Sequence, residues 1–209
     1  NRRVAANANT SGAGAVSVRG VDVGIDVNSN IETHIGGGAI MRVGDDLTVG
    51  AHSRNNVDAD GYGKSGGLVG VGSTVINVTM RDRAVAMTDN ASSSNRTQIL
   101  GGSDLLFDAT TSGYANLNAV GGAGGLLGYG SAEANLYLID PLAQARLGNN
   151  TTVNSSNADL TVSTFLLQTA FVNVDQAVTG VLAGNFTRSI ANMTGGQSLP
   201  RGVEMGPQA

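Results

Sequence analysis

The residues best suited to chemistry in this 209-residue chain are few, and the most suggestive group is Asp58-Ala59-Asp60-Gly61-Tyr62-Gly63. Two carboxylates one residue apart, followed by glycine, can wrap oxygen ligands round Ca²⁺. Elsewhere the chain argues for a plainer role. Matching triplets, Asn7-Ala8-Asn9, Asn116-Leu117-Asn118 and Asn173-Val174-Asp175, put amides where Asp58 and Asp60 stand. A position filled by either Asn or Asp wants a short polar side chain that hydrogen-bonds its own turn or the strand beside it. Asn7, Asn9, Asn116, Asn118, Asn173 and Asp175 are therefore expected to be turn residues, with Asp58 and Asp60 the weak calcium candidates. No other cofactor is indicated.

The two histidines, His34 and His52, could pair as ligands, or serve as a base with Asp45 or Asp46. Eighteen residues apart, they are expected about one coil from each other. Neither has a nucleophile and an orienting group nearby in sequence, so no catalytic set is expected. Asp46, Asp104 and Asp159 recur at corresponding places, as the acids of a carbohydrate-cleaving groove would. Each opens a strand-like phrase, where Asp is ordinary turn chemistry. Tyr62, Tyr114 and Tyr129 are the candidate stacking platforms for a sugar. Nine Asn-x-Ser/Thr sequons, at residues 9, 77, 90, 95, 149, 150, 154, 185 and 192, are glycosylation acceptors only if the export route carries the machinery.

The elements that must position these side chains are repetitive. Asp46-Leu47-Thr48-Val49, Asp104-Leu105-Leu106-Phe107 and Asp159-Leu160-Thr161-Val162 are spaced by 58 and 55 residues, and the polar triplets by 51, 58 and 57. Glycine-rich phrases keep the same rhythm: Gly66-Gly67-Leu68-Val69-Gly70, Gly124-Gly125-Leu126-Leu127-Gly128 and Thr179-Gly180-Val181-Leu182-Ala183. Within a repeat the period is two. Val21, Val23, Ile25 and Val27 alternate with Asp22, Gly24 and Asp26, as on a strand with one buried face. Helix-favouring residues are scarce, and the single short helical candidate is Pro141 to Arg146.

Composition narrows the architecture. Hydrophobic residues are 41%, enough for a core, yet aromatics are 4% and Trp is absent, so that core must be thin. Gly is 31 of 209 without a Gly-X-Y period, which excludes collagen. Stacked coils filled by Val, Leu, Ala and Gly fit better than propeller blades, which carry aromatic anchors. The expected fold class is all-β, a β-solenoid of stacked coils over residues 1–194, in about three and a half repeats of 51–58 residues. With two or three coils per repeat there would be roughly eight to ten, a rod of about 40–50 Å. Residues 195–209, with Pro200 and Pro207, read as a linker or frayed end.

The net charge of -4, with Lys64 the only lysine, offers no basic patch for nucleic acid. No apolar run reaches the length of a membrane span, and the absence of cysteine excludes disulfides and Cys-ligated metal. No signal peptide opens the chain, and a first residue of Asn reads as a processed piece of something longer.

The phrases Thr33-His34-Ile35-Gly36-Gly37-Gly38-Ala39-Ile40-Met41 and Gly44-Asp45-Asp46-Leu47-Thr48-Val49-Gly50-Ala51 resemble repeats of giant bacterial surface exoproteins, the leukotoxin-like filamentous adhesins and filamentous haemagglutinin relatives. The third copy, Ala145 to Val153 running to Asn157-Ala158-Asp159-Leu160-Thr161-Val162-Ser163, is the closest in pattern. The resemblance covers most of residues 5–194, with an insertion near Asn90 to Thr97. It implies a right-handed parallel β-helix, secreted or held at the cell surface. Such a segment would act as a non-catalytic stalk or adhesin. Its partners would be neighbouring repeats, other copies of itself forming an end-to-end filament, or a host-cell, matrix or glycan surface. A carbohydrate-binding or carbohydrate-cleaving β-helix is the alternative.

Overall fold

The computed structural model describes residues 2–155, 159–194 and 197–198. Among them there is no helix, and nine strands follow in order: β1 (Arg2–Ile35), β2 (Ile40–Val43), β3 (Leu47–Thr88), β4 (Thr97–Gly101), β5 (Asp104–Ile139), β6 (Leu142–Arg146), β7 (Thr151–Asn154), β8 (Asp159–Thr194) and β9 (Gln197–Ser198). The long strands β1, β3, β5 and β8 lie side by side and parallel, in the order of the chain. The short strands β2, β4 and β7 form a separate parallel sheet, also in chain order. The result is an all-β stack of parallel rows of the solenoid kind.

A straight strand as long as β3 would reach about 140 Å. β3 instead doubles back, since Val57 and Ala59 from its first half share one core cluster with Ile76 and Val78 from its second. The backbone hydrogen bonds run between successive rows. Near the fold-back glycine lets the backbones of the two limbs approach, since a Cβ on Gly63 would collide with the Ser73 carbonyl oxygen, and elsewhere the limbs of a row meet through side chains. This is why the sequence shows period two on both limbs: every second residue points into a space a few side chains wide.

The fold-back lies at the glycine-rich phrase. The ladder passes from Gly14↔Gly67 directly to Val16↔Val69, and from Gly67↔Gly125 to Val69↔Leu127, leaving Leu68 and Leu126 outside the pairing. Gly67 and Gly125 have φ of 147° and 145°, a region that disfavours side chains, and a Cβ on Gly67 would collide with the Gly14 carbonyl oxygen of the row before. Glycine occupies this corner in all four rows, at Gly14, Gly67, Gly125 and Gly180.

Two core clusters run through the stack. The first, between the two limbs, gathers Val21 to Val27, Val57, Ile76, Val78, Met80, Leu117 and Leu136. The second lies where the limbs meet the β2–β4–β7 sheet and gathers Ile35, Val49, Ile99, Leu105 and Phe107. Phe107 is fully buried, the one bulky ring the wider base accommodates.

Several expectations need correction. One repeat makes one row: Arg2 pairs with Asn55, Asn55 with Gly113 and Gly113 with Gln168, so successive rows are offset by 53, 58 and 55 residues. Four rows stand only about 14 Å from first to last, far from eight to ten coils and 40–50 Å. Residues 142–146 are strand β6, not helix: Ala143 and Ala145 are buried against the core and pair with the Ala84–Ala86 region of β3. Parallel pairing overrides local propensity here, and the positive φ of Asp140 (46°) takes up the one extra residue before Pro141. The insertion near Asn90 leaves the rows in register, because Asn90 Oδ1 accepts from the Asn149 amide and the Ala91 amide donates to the Asn149 carbonyl. Of the expected terminal linker, Gln197–Ser198 pairs with β6, and the remaining residues lie outside those described.

Candidate functional site

The polar triplets are not turns. Asn7 and Asn9 lie within β1, Asp58 and Asp60 within β3, Asn116 and Asn118 within β5, and Asn173 and Asp175 within β8. Their side chains occupy outward positions between inward Ala8, Ala59, Leu117 and Val174. Their alignment also differs from the sequence spacing by two residues at either end: Asn7 pairs with Asp60, and Asn173 with Asn118. A slip of two keeps every side chain on its face, so alternation alone cannot reveal it. The triplets form outward ladders in which Asn173 Nδ2 donates to Asn118 Oδ1 at 2.9 Å and Asn118 Nδ2 donates to the Tyr62 hydroxyl at 2.9 Å.

Asp58 is engaged by Arg3 at 3.4 Å. Among the described residues no group of three or more His, Cys, Asp or Glu converges as metal ligands would. The histidines do not meet either, because a row spans more than fifty residues. His34 Nδ1 lies 3.6 Å from Asp89, and His52 Nδ1 lies 3.5 Å from Asp108, each across to the next row. Asp46, Asp104 and Asp159 do align in one column at the corner before the limbs. Asp46 Oδ1 accepts from the Asp104 amide at 3.2 Å, which is the work of a strand-opening cap.

Sequence reasoning missed a buried polar layer between the two core clusters. Asn55 Nδ2 donates to Asp82 Oδ1 and reaches Ser53 Oγ, which in turn donates to Ser29 Oγ at 2.9 Å. Asp82 is 2% exposed and has no basic partner among the described residues. Burial pushes its carboxyl up from the ordinary 3.8, while the amides of Asn55 and then Gln168 pull it down. Gly113 occupies the row between Asn55 and Gln168. With no side chain there, the Gln168 amide of the fourth row comes close to Asp82 Oδ2 of the second, and a Cβ on Gly113 would lie 3.1 Å from that oxygen. A lone carboxylate, bonded at Oδ1 by the Asn55 amide and with no hydrogen-bond partner at Oδ2 among the described residues, offers no nucleophile and no second acid. It can pin the register of the rows, since any slip strands a buried charge.

A second missed feature is on the outside. Phe165, Leu167 and Phe171 of β8 are exposed, and Tyr114 packs against Phe171 with ring centroids 5.8 Å apart. Tyr114, Phe165 and Leu167, with Arg54, Asn56 and Thr169, line a shallow groove of about 510 Å³. Of the other predicted platforms, Tyr62 is tied to Asn118 and Tyr129 stands apart on the return limb beyond the fold-back. Within residues 163–173 apolar side chains fall on both faces, Leu166, Ala170 and Val172 on one and Phe165, Leu167 and Phe171 on the other, so no alternation marked the outward ones.

Compared with protein-family models, curated proteins and solved structures, the chain has no match.

Proposed function

We propose that this chain is a non-catalytic segment of a secreted or cell-surface rod, a right-handed parallel β-helix that works by mechanical reach and surface contact, as a bacterial adhesin does. The observation that carries this reading is the parallel ladder, which joins all four rows on both limbs and skips a single residue at each fold-back. Right-handedness follows the strong preference of parallel crossover connections. Four in-register rows buttress one another, and ion pairs join successive rows at Arg3–Asp58, Arg81–Asp26, Arg83–Glu32 and Arg188–Glu133. The outer faces are left for contact with matrix, glycan or another copy. Immunolabelling tests this: antibody to the chain should label intact, unpermeabilised cells, and protease shaving should remove the label. Labelling only after lysis would overturn it.

A second reading, glycan binding, is favoured by the groove in which Tyr114 and Phe165 stand beside Arg54 and Asn56. Aromatic faces flanked by polar groups suit sugar rings. A glycan array should then give signals that Tyr114→Ala abolishes, and a silent array would remove the reading.

A further inference from the structure

We propose that the free edge of β8 is a docking surface for the free edge of β1 in a second copy of this chain, joined head to tail and in register with the existing ladder. The inference rests on the rod reading and adds to it the partner, the polarity and the pairing residues.

Continuing the pairing Arg2↔Asn55↔Gly113↔Gln168 by one further row sets Gln168 of one copy beside Arg2 of the next, and Ala191 beside Ile25. In that register the two edges are complementary at successive outward positions. Arg188, held by Glu133 at 3.7 Å on its inner side, meets Asp22, which has no ion-pair partner among the described residues. Phe186 and Ile190, on either side of Arg188, meet Gly20 and Gly24, where even a Cβ would find nothing within 4 Å. Large side chains thus sit over gaps, and a cation over an anion. On the outgoing limb, Asn173 meets Asn7 and extends the Asn118–Asn173 ladder by one rung. Inside, Ala170, Val172 and Val174 meet Val4, Ala6 and Ala8. Four of these, Val4, Ala6, Ala8 and Val172, are only partly buried against the core, as is Val174. No like charges face one another: Asp175, the other charged residue of this stretch of β8, meets Asn9. An interface of this polarity does not close on itself, so repeated docking yields a filament.

The chain has no cysteine, so engineered pairs report cleanly. Asn7→Cys with Asn173→Cys puts the two thiols three rows apart within one molecule, about 14 Å, beyond disulfide reach. Head-to-tail docking places them on adjacent strands. Mild oxidation should then give a ladder of dimers, trimers and longer species on non-reducing gels, whereas Asn7→Cys with Ala177→Cys, four residues out of register, should not extend beyond dimers. Arg188→Asp should raise the concentration needed for association about fivefold, and adding Asp22→Arg should restore it. Asp60→Cys with Asn118→Cys serves as the internal check, because these residues pair within one molecule. If that disulfide forms while the docking pair stays monomeric, head-to-tail docking is wrong and the rod stands. If neither forms, the rod reading fails as well.

Discussion

Gly70→Ala is the substitution by which the thinness of the stack near its fold-back can be weighed. Gly70 lies inward on the return limb, two residues beyond Leu68, and a Cβ there would come 2.6 Å from the Gly124 carbonyl oxygen of the next row and 3.3 Å from the Ser65 carbonyl oxygen of its own. Ordinary contact begins at 3.4 Å, so the nearer oxygen must retreat by about 0.8 Å. That oxygen is backbone, fixed within the β3–β5 ladder between Gly66↔Gly124 and Gly70↔Gly128, and cannot move without stretching about two ladder bonds. At about 1 kcal/mol each the loss is about 2 kcal/mol, from which roughly 0.5 kcal/mol is recovered because Ala restricts the unfolded chain. Gly66→Ala is the matched control, four residues away, where the only neighbour of a Cβ is the Gly12 carbonyl oxygen at 3.9 Å. Equilibrium urea unfolding followed by far-UV circular dichroism should lower the midpoint by roughly 0.5–1 M for Gly70→Ala. Gly66→Ala should match the parent or slightly exceed it. Equal midpoints for the two variants would refute the close approach of rows at the fold-back.

Other expectations follow from the interior and the surface. Because burial raises the Asp82 carboxyl, the folded chain holds that proton more tightly than the unfolded chain; its contribution to stability is full below the ordinary 3.8 and is lost as pH rises through the folded value. Asp82→Asn should remove this decline and stabilise the chain at pH 7 by about 1 kcal/mol, a result that melts from pH 3 to 8 would expose, and a less stable variant at pH 7 would contradict it. Leu117→Ala, at a fully buried core position, should cost about 2–5 kcal/mol. Leu126→Ala, at the exposed fold-back, should stay within about 0.5 kcal/mol of the parent. Thermal melts that rank this pair the other way would place the core on the wrong side of the strands.

Much of the fold was legible because two kinds of signal repeat together. Alternation in Val21 to Val27 marks an inward face, and the Gly-Gly-Leu phrases mark the places where only glycine can make the fold-back. The number of rows per repeat was not legible. Alternation continues through each limb, and the inward polar residues Ser53, Asn55 and Asp82 mark no turn, so nothing in the sequence shows that a single strand such as β3 provides both limbs of one row. Asp58 and Asp60 looked like a turn because acids beside glycine usually make one. Inside a row, the same pattern is an outward strand face opposite a glycine-thinned interior. The polar layer was hidden for a different reason: Asp82, Asn55, Gly113 and Gln168 are far apart in sequence and meet only through the row offsets. No residue among them is unusual where it stands.

The claim that one repeat makes one row is tested most directly by a distance between two spin labels, at Ser11 and Ala177, in chains diluted with unlabelled protein. The pairings Ser11↔Lys64, Lys64↔Gly122 and Gly122↔Ala177 put these exposed residues three rows apart on the same outward column. Their Cα atoms should then be about 14 Å apart. A distance of about 30–40 Å, as two or three coils per repeat would give, would contradict it.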